Sequence, residues 1–267
     1  MKQEKATVIE HHNFQGEYRI LRLAAPAVGP LVKPGQFIEL QVPRLNERIL
    51  RRPFSVYQAG VEGVAVLYKS VGRGTEAMTA LQEGDTVNII GPLGNGYPEA
   101  DESKLPVLVA GGYGNAALYL MAKELKTKGI AFFGGRSAID ILCIKEFEEL
   151  GWEVRPTTDD GSLGTAGRVT AAFDPWMEEV RAERGQPGVE NLELFVCGPN
   201  PMLKAMGDRA MENNFTAWLS LDKNMACGVG ACLTCVIKRR TAEGGWEWAR
   251  CCKDGPIFES REIIWEE

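Results

Sequence analysis

The feature that most constrains this chain is a run of cysteines near its C-terminus. Cys227, Cys232 and Cys235 follow the spacing C-x4-C-x2-C, and the adjacent pair Cys251 and Cys252 comes later. Three closely spaced thiolates followed by a distant fourth form the ligand pattern of a plant-type [2Fe–2S] cluster, because two iron atoms need four sulfur ligands. Such a cluster carries one electron at a time, so the spacing predicts a protein that transfers electrons.

Two other interpretations of the cysteines fit less well. Structural zinc sites typically pair two short C-x2-C knuckles, whereas this chain has one knuckle and one adjacent pair. A disulfide framework is typical of exported domains, and this chain of seven cysteines has no recognisable export signal. The fourth iron ligand stays open between Cys251 and Cys252. If residues 245–252 form a strand, the two side chains point to opposite faces and only one reaches the cluster.

Length and charge restrict the remaining possibilities. A chain of 267 residues has room for one large domain or for about two to three small ones. The net charge of −6 predicts no basic surface for nucleic acid. The first residues contain no apolar export segment, and glycines interrupt the least charged stretch, residues 105–122, so we expect no membrane span. These features predict a cytoplasmic protein.

The pattern of apolar residues divides the chain into three zones and predicts a multidomain α+β fold. Residues 1–100 contain short alternating segments separated by Gly and Pro, which is typical of an antiparallel β-barrel. Residues 101–219 alternate apolar strands with helical stretches, which indicates an α/β nucleotide-binding domain with a parallel sheet. Residues 220–267 form a small domain that carries the cysteine run.

A glycine-rich turn in the middle zone predicts a dinucleotide site. Gly112, Gly114 and Ala117 match G-x-G-x-x-A between a strand and a helix, where bare backbone lets a pyrophosphate approach the helix N-terminus. The acidic residue that usually binds the ribose is missing, and Arg136 follows the next strand, so the choice between NADH and NADPH stays open. The alternative interpretation is that Arg136 is an ordinary surface arginine.

Loops at the carboxyl ends of neighbouring strands also line such nucleotide sites, which adds Cys197, Gly198 and Pro199 to the predicted site. The alternative interpretation is that Cys197 is simply buried as a small apolar residue and does not contact the nucleotide.

Residues suited to a bound phosphate also occur in the first zone. Pro53 restricts Arg52 to an extended conformation, which would hold its guanidinium fork in place for a pyrophosphate. A basic strand edge followed by a turn is the alternative interpretation. Residues 67–69 end a predicted strand and lead to Gly74 and Thr75, a turn before a helix that favours phosphate binding.

These segments resemble the ferredoxin reductase-like flavoproteins. The shared set is R-P-x-S, G-x-G-T, G-P-x-G-x-G, a glycine-rich turn and C-G-P-x-P-M, in that order between residues 50 and 206. With the C-terminal cysteines and Cys-Lys-Asp-Gly-Pro added, the chain is similar over nearly its full length to the electron-transfer subunits of class 1B dihydroorotate dehydrogenases. A related family, the small subunits of NADPH:ferredoxin or sulfide oxidoreductases, tends to have aspartate in place of Cys227, so this cysteine favours the first family.

The resemblance implies three cofactors: FAD, a [2Fe–2S] cluster and NAD(H). It also implies that Cys252, rather than Cys251, is the fourth iron ligand. The implied flavin contacts are Arg52, Pro53, Phe54, Ser55, Leu67, Tyr68, Lys69, Gly74 and Thr75.

The resemblance further implies a catalytic partner. That partner is an FMN-containing TIM-barrel subunit that oxidises dihydroorotate in pyrimidine biosynthesis, in a heterotetramer with two copies of each subunit. Electrons would pass from FMN through the cluster to FAD, and then as a hydride to NAD+. No acid–base or nucleophilic side chain is required, because the protein binds, orients and tunes the cofactors. The alternatives are a module that links NAD(P)H to ferredoxin or sulfide chemistry, and a non-catalytic zinc-stapled adaptor.

Overall fold

The structure, a computed structural model, describes residues 1–43 and 50–265. Residues 44–49 of the predicted first domain and residues 266–267 of the predicted third domain lie outside the described residues. The chain forms two compact units. The first contains residues 1–96, 223–236 and 250–256, and the second contains residues 97–222, 237–249 and those from 257 onward. The predicted boundaries at 100 and 219 fall close to two of these divisions, but the cysteine segment is shared between the units, so the three-domain division stays a prediction.

The first unit is built on an antiparallel sheet. Its strands are β1 (Lys2–Gln15), β2 (Tyr18–Ala24), β3 (Phe37–Gln41), β4 (Arg52–Ser55), β5 (Gln58–Gly60), β6 (Gly63–Lys69) and β7 (Thr86–Leu93). They pair in the order β4-β3-β7-β1-β2-β6-β5, and helix α1 (Arg73–Met78) follows β6. Phe54 of one edge strand and Ala59 of the other pack against the same buried core. The sheet therefore curls around that core, which confirms the predicted antiparallel architecture.

The second unit alternates strands and helices along the chain. The strands are β8 (Leu105–Gly111), β9 (Ile130–Gly135), β10 (Glu153–Thr158), β11 (Thr165–Ala166), β12 (Leu192–Cys197) and β13 (Thr216–Ser220). The helices are α2 (Gly114–Glu124), α3 (Ile144–Glu149), α4 (Thr170–Glu190) and α5 (Asn200–Asn213). The C-terminal part adds β14 (Val236–Arg240), β15 (Trp246–Arg250), β16 (Ile257–Glu259) and β17 (Ile263–Ile264).

The main sheet of this unit has the order β11-β10-β9-β8-β12-β13-β16, and every pairing is parallel except that of the edge strand β16. A smaller sheet has the order β15-β14-β17. The parallel sheet is buried on both faces, since successive side chains point to opposite sides of a strand. Phe132 contacts Phe173 of α4 at 5.4 Å between ring centroids, whereas its neighbour Phe133 contacts Phe147 of α3 at 4.8 Å.

Two features differ from the expectation. Helix α4 was not predicted, because Pro175, Pro187 and several charged residues obscure its apolar face, and Gly185 (φ 68°) kinks it. The segment 245–252 is a strand only as far as Arg250, and Cys251 and Cys252 lie in the turn that follows. Of the helices in the part of the chain that the structure describes, none is both long and apolar enough to cross a membrane.

Candidate cofactor sites

The four predicted iron ligands lie together in the first unit. The backbone N–H of Cys232 donates a hydrogen bond to Cys227 Sγ at 3.3 Å, and the Cys252 thiol is hydrogen-bonded to Cys235. The sulfur atoms therefore form two neighbouring pairs, 227 with 232 and 235 with 252. Each iron of a [2Fe–2S] cluster takes two thiolates, so this arrangement fits a two-iron centre.

Within residues 1–43 and 50–265, no group of three or more His, Cys, Asp or Glu side chains converges on one point that could hold a single metal ion. Four cysteine sulfurs in two pairs are the donor set that the two iron atoms of a [2Fe–2S] cluster take.

The environment of the thiols differs between the two pairs. A hydrogen bond with the Thr234 hydroxyl stabilises the Cys232 thiolate and lowers the pKa of Cys232 to about 6. Burial, together with Cys235, raises the pKa of Cys252 to about 12. Metal binding requires the deprotonated form of each thiol, so Cys232 is ready to bind iron near neutral pH, whereas Cys252 must first release a proton.

Contacts of the turn after β15 distinguish Cys251 from Cys252. The backbone N–H of Gly230 donates to Cys252 Sγ at 3.1 Å, so this sulfur faces the cysteine loop, residues 227–235. Cys251 is completely buried, and its backbone N–H donates to the Cys235 carbonyl at 3.0 Å. Neither side chain lies in a strand, so the expected alternation of strand faces is not what separates them.

Arg250 connects the two cysteine segments. Its Nη1 donates to the Gly230 carbonyl at 3.2 Å, and its Nε donates to Asp254 Oδ2 at 3.0 Å. The Asn95 side-chain amide donates to the carbonyls of Lys253 and Asp254 at 3.2 and 3.0 Å, which anchors the turn to the barrel within the first unit. Positive φ angles of 65° at Gly228 and 80° at Gly230 let the loop curl around the sulfur atoms.

Arg52 faces a cavity in the first unit. The cavity, of about 340 Å³, is lined by Arg52, Val71, Gly72, Arg73, Gly74 and Thr75. Thr75 Oγ1 shapes its wall by accepting from the backbone N–H groups of Val71 (2.9 Å) and Gly72 (3.1 Å). A Cβ at position 74 would lie 3.0 Å from Arg52 Nε, so glycine lets the Arg52 side chain approach the backbone without having to shift. A guanidinium beside open backbone suits a pyrophosphate.

Arg51, the neighbour of Arg52, already makes hydrogen bonds within the barrel. Arg51 donates two hydrogen bonds to Asn88 of β7, to its carbonyl at 2.8 Å and to its side-chain oxygen at 2.7 Å. Arg52 Nη1 instead donates to backbone carbonyls of residues 50 and 51, which hold its guanidinium at the cavity. The structure therefore separates the two arginines that the sequence places side by side.

The other predicted flavin residues lie on two strands. Pro53, Phe54 and Ser55 belong to β4, and residues 67–69 end β6. Phe54 and Tyr68 meet edge to face at 5.9 Å, and Tyr68 Oη is 3.0 Å from His11 Nε2. Lys69 lies over the Tyr18 ring and pairs with Glu17 at 3.7 Å. Of the predicted set, Arg52, Gly74 and Thr75 line the cavity. Phe54 and Tyr68 pack in the barrel core, and the flavin contacts of the residues on these two strands stay predictions.

The predicted nucleotide residues meet in the second unit at the carboxyl edge of the parallel sheet. The strand order reverses between β8 and β12, and ligands of open parallel sheets bind in the crevice at this point. Gly112 and Gly114 lead from β8 into α2, and Cys197, Gly198 and Pro199 lead from β12 into α5. Arg136 is exposed directly after β9 at the same edge.

The two turns at this point are in close contact. A Cβ on Gly114 would lie 2.1 Å from the Cys197 carbonyl oxygen, and a Cβ on Gly198 would lie 2.9 Å from the Gly111 nitrogen. Gly114 and Gly198 are both buried where the two turns meet, so packing requires glycine at these positions. Cys197 itself is buried, and burial raises its pKa to about 12, so its predicted cofactor contact stays a prediction.

Sequence reasoning missed three residues near these turns and the cavity: Tyr113, Asp222 and Asn88. The Tyr113 hydroxyl donates to Asp222 Oδ2 at 2.8 Å, and burial together with Asp222 raises the pKa of Tyr113. Asp222 follows β13, so the rule that site residues follow the carboxyl ends of parallel strands would have indicated it. Asn88, which holds Arg51, carried no comparable signal.

Comparison with known proteins defines the class of the fold. A solved NADH-dependent reduced ferredoxin-NADP oxidoreductase matches with a TM-score of 0.80 and 28% identity, over 97% of this chain and 90% of that chain. Phthalate dioxygenase reductase shares the fold, with a TM-score of 0.60 and 18% identity, over 94% of this chain and 77% of that chain. The fold is that of the ferredoxin reductase-like proteins, which confirms the predicted fold class.

Relatives in sequence define the family. The dihydroorotate dehydrogenase B (NAD(+)) electron transfer subunit of Geobacillus thermodenitrificans is 34% identical over 98% of both chains. The protein of that name from Caldanaerobacter subterraneus subsp. tengcongensis is 36% identical over 97% of this chain and 98% of its own. A family model described as the iron-sulfur cluster binding domain of dihydroorotate dehydrogenase B matches residues 222–264. The chain belongs to the family of dihydroorotate dehydrogenase B electron transfer subunits, which confirms the predicted oxidoreductase class and iron–sulfur segment.

Proposed function

We propose that this chain carries electrons to NAD+ in pyrimidine biosynthesis. The electrons come from an FMN-bearing subunit that oxidises dihydroorotate. The observation that carries the proposal is the two pairs of cysteine sulfurs, in a chain that matches electron transfer subunits over nearly its full length. When bound, a [2Fe–2S] cluster and FAD would supply one-electron transfer on one side and two-electron transfer to NAD+ on the other.

The residues of the chain act by binding and orientation. Cys227, Cys232, Cys235 and Cys252 hold the cluster. Arg52 and the backbone around Gly74 hold the pyrophosphate of FAD, and the remaining predicted residues of β4 and β6 hold the rest of the flavin. The turns at Gly112–Gly114 and at residues 197–199, with Arg136 beside them, hold the nicotinamide nucleotide.

The partner in this proposal is a TIM-barrel catalytic subunit that carries FMN, with two copies of each subunit in a heterotetramer. Family membership supports a catalytic partner, because the relatives are named as one subunit of an enzyme. We place the complex in the cytoplasm, where thiols stay reduced, because an iron–sulfur cluster needs its cysteine ligands as thiolates.

A second candidate is a subunit that links NAD(P)H to ferredoxin. The similarity to the NADH-dependent reduced ferredoxin-NADP oxidoreductase favours it. One observation favours the first candidate: the identity to a dihydroorotate dehydrogenase subunit is 36%, against 28% to that oxidoreductase. The family resemblance drawn from the sequence also favours it, because it implies a cysteine at position 227.

Reconstitution with each electron donor tests the proposal. The chain, loaded with FAD and iron–sulfur cluster, is mixed with an FMN-bearing dihydroorotate dehydrogenase catalytic subunit and NAD+. We expect NADH formation on addition of dihydroorotate, and only when both subunits are present. NADH formation with reduced ferredoxin but not with dihydroorotate would establish the second candidate instead.

Replacing Arg52 with alanine should weaken FAD binding about 10- to 100-fold, because a charge-assisted hydrogen bond contributes about 1.5–3 kcal/mol. The measurement is flavin per chain after gel filtration, with a titration of the apoprotein by FAD. Arg51→Ala is the matched control: it should lower the free energy of unfolding by about 1–2 kcal/mol through loss of the Asn88 contacts but leave FAD affinity unchanged. Equal FAD affinity in Arg52→Ala and the wild type would refute the pyrophosphate role.

A further inference from the structure

Glu39 is a buried acid on the outer side of the barrel. Its neighbours on β3, Ile38 and Leu40, point into the barrel core, so Glu39 points to the opposite face of the strand. Its exposed fraction is nevertheless only 1%. The cover is the cysteine loop of the same unit, because a Cβ on Gly228 would lie 2.4 Å from Glu39 Cγ and Oε1.

Both carboxyl oxygens of Glu39 lack a hydrogen-bond partner among the residues that the structure describes. A buried carboxylate without partners is strongly unfavourable, so such a group retains its proton or meets a bound group of complementary chemistry. No contact among the described residues therefore explains why an acid is buried here. Glu39 touches Gly228, which is next to the predicted iron ligand Cys227.

The charged groups that act on Glu39 are two arginines of the segment leading into β4. Arg51 is engaged by Asn88 and Arg52 by backbone carbonyls, so neither neutralises the carboxyl directly. Burial outweighs their opposing effect and raises the pKa of Glu39 to about 7. On the cysteine loop, the residue that touches Glu39 is the uncharged Gly228.

We propose that the Glu39 carboxyl tunes the reduction potential of the cluster held by this loop and couples its reduction to the uptake of one proton. This inference deepens the proposed function, since it rests on a cluster bound at Cys227. Reduction adds one electron to the cluster, supplied by the FMN-bearing partner or by a chemical reductant, and one proton passes from water to the Glu39 carboxylate. Oxidation of the cluster returns the electron to the acceptor and the proton to water.

The coupling works in both directions. A proton on Glu39 removes a negative charge beside the cluster and so favours the electron, and by thermodynamic linkage the electron favours the proton by the same factor. We expect this factor to be about tenfold, which for a one-electron couple corresponds to about 59 mV.

A redox titration followed by electron paramagnetic resonance tests this on the full chain loaded with FAD and cluster. The potential of the wild-type cluster should be constant in acid and should fall as the pH rises through about 7, by a total of about 59 mV for tenfold coupling. Glu39→Gln, an uncharged residue of similar shape, should remove this dependence and keep the potential near the acidic value at every pH. Glu62→Gln, a change of an exposed acid on the same barrel, should behave as the wild type.

Two results would overturn the inference: a wild-type cluster potential independent of pH, or a Glu39→Gln protein that retains the wild-type pH dependence. The first needs no variant, so the inference stays testable even if Glu39→Gln fails to fold. The potential is measured without the catalytic partner. A flat profile in a chain that still reduces NAD+ with dihydroorotate would reject the role of Glu39 alone, whereas failure of that reaction would reject the proposed function.

Discussion

Replacing Cys252 with serine will leave a protein without its iron–sulfur cluster, whereas the same change at Cys251 will leave the cluster intact. The Cys252 sulfur accepts a hydrogen bond from Gly230 and lies beside Cys235, so it completes one of the two sulfur pairs. A hydroxyl is a poor substitute for thiolate toward iron in such centres. We expect iron and acid-labile sulfide to fall to a small fraction of the wild-type content, with loss of the cluster's absorption.

The two neighbouring cysteines form a matched pair for this experiment. Cys251 is 0% and Cys252 is 2% exposed, so both substitutions remove a buried thiol and cost similar packing energy. FAD content serves as an internal control, because its predicted site lies on the barrel strands and should be retained. Cys232→Ser should behave like Cys252→Ser. Full iron and sulfide in Cys252→Ser, or their loss in Cys251→Ser, would reverse the assignment of the fourth ligand.

Replacing Gly114 with alanine should destabilise the second unit and disable its nucleotide site. The new Cβ would lie 2.1 Å from the carbonyl oxygen of Cys197 and 2.8 Å from its carbonyl carbon. These are backbone atoms of a central strand, so helix α2 must move away from β12. Overpacking of this kind costs about 1–3 kcal/mol, and the displacement opens the crevice in which the nucleotide would bind.

Chemical denaturation and a titration with NADH measure the two effects of Gly114→Ala. The control is Gly207→Ala on helix α5, where the new Cβ would meet Leu219 Cδ1 and Ser260 Cβ at an ordinary 3.4 Å. Alanine favours a helix over glycine by up to about 1 kcal/mol, so this variant should be at least as stable as the wild type. Wild-type stability and NADH affinity in Gly114→Ala would show that the close approach of the two turns has no role.

Local sequence patterns were sufficient to predict the features that depend only on the order of residues within one segment. The C-x4-C-x2-C spacing places three sulfurs on one loop in any fold, and the turn at Gly112 and Gly114 joins a strand to a helix by local backbone geometry alone. Helix α4 escaped prediction because two prolines and its charged residues weaken the apolar periodicity on which sequence reasoning depends.

Local patterns could not predict the contacts between segments that are distant in sequence. The sequence favours Arg52 over Arg51 because Pro53 follows it, but it does not show what Arg51 binds. In the structure, Asn88 of β7, two strands away from β4 in the sheet, accepts hydrogen bonds from Arg51, while Arg52 lines the cavity. Glu39 reads as an ordinary polar position of an alternating strand, and its burial depends on a loop that begins far along the chain.

By itself the sequence determined the class of chemistry, an iron–sulfur and flavin electron-transfer protein, because ligand spacing and glycine turns act over a few residues. Tertiary structure decided how the four sulfurs pair, which of two adjacent cysteines faces the loop, and which acid lies unpaired beside it. These properties depend on distances between side chains that the chain brings together only on folding, and burial then changes the charge that each group can carry.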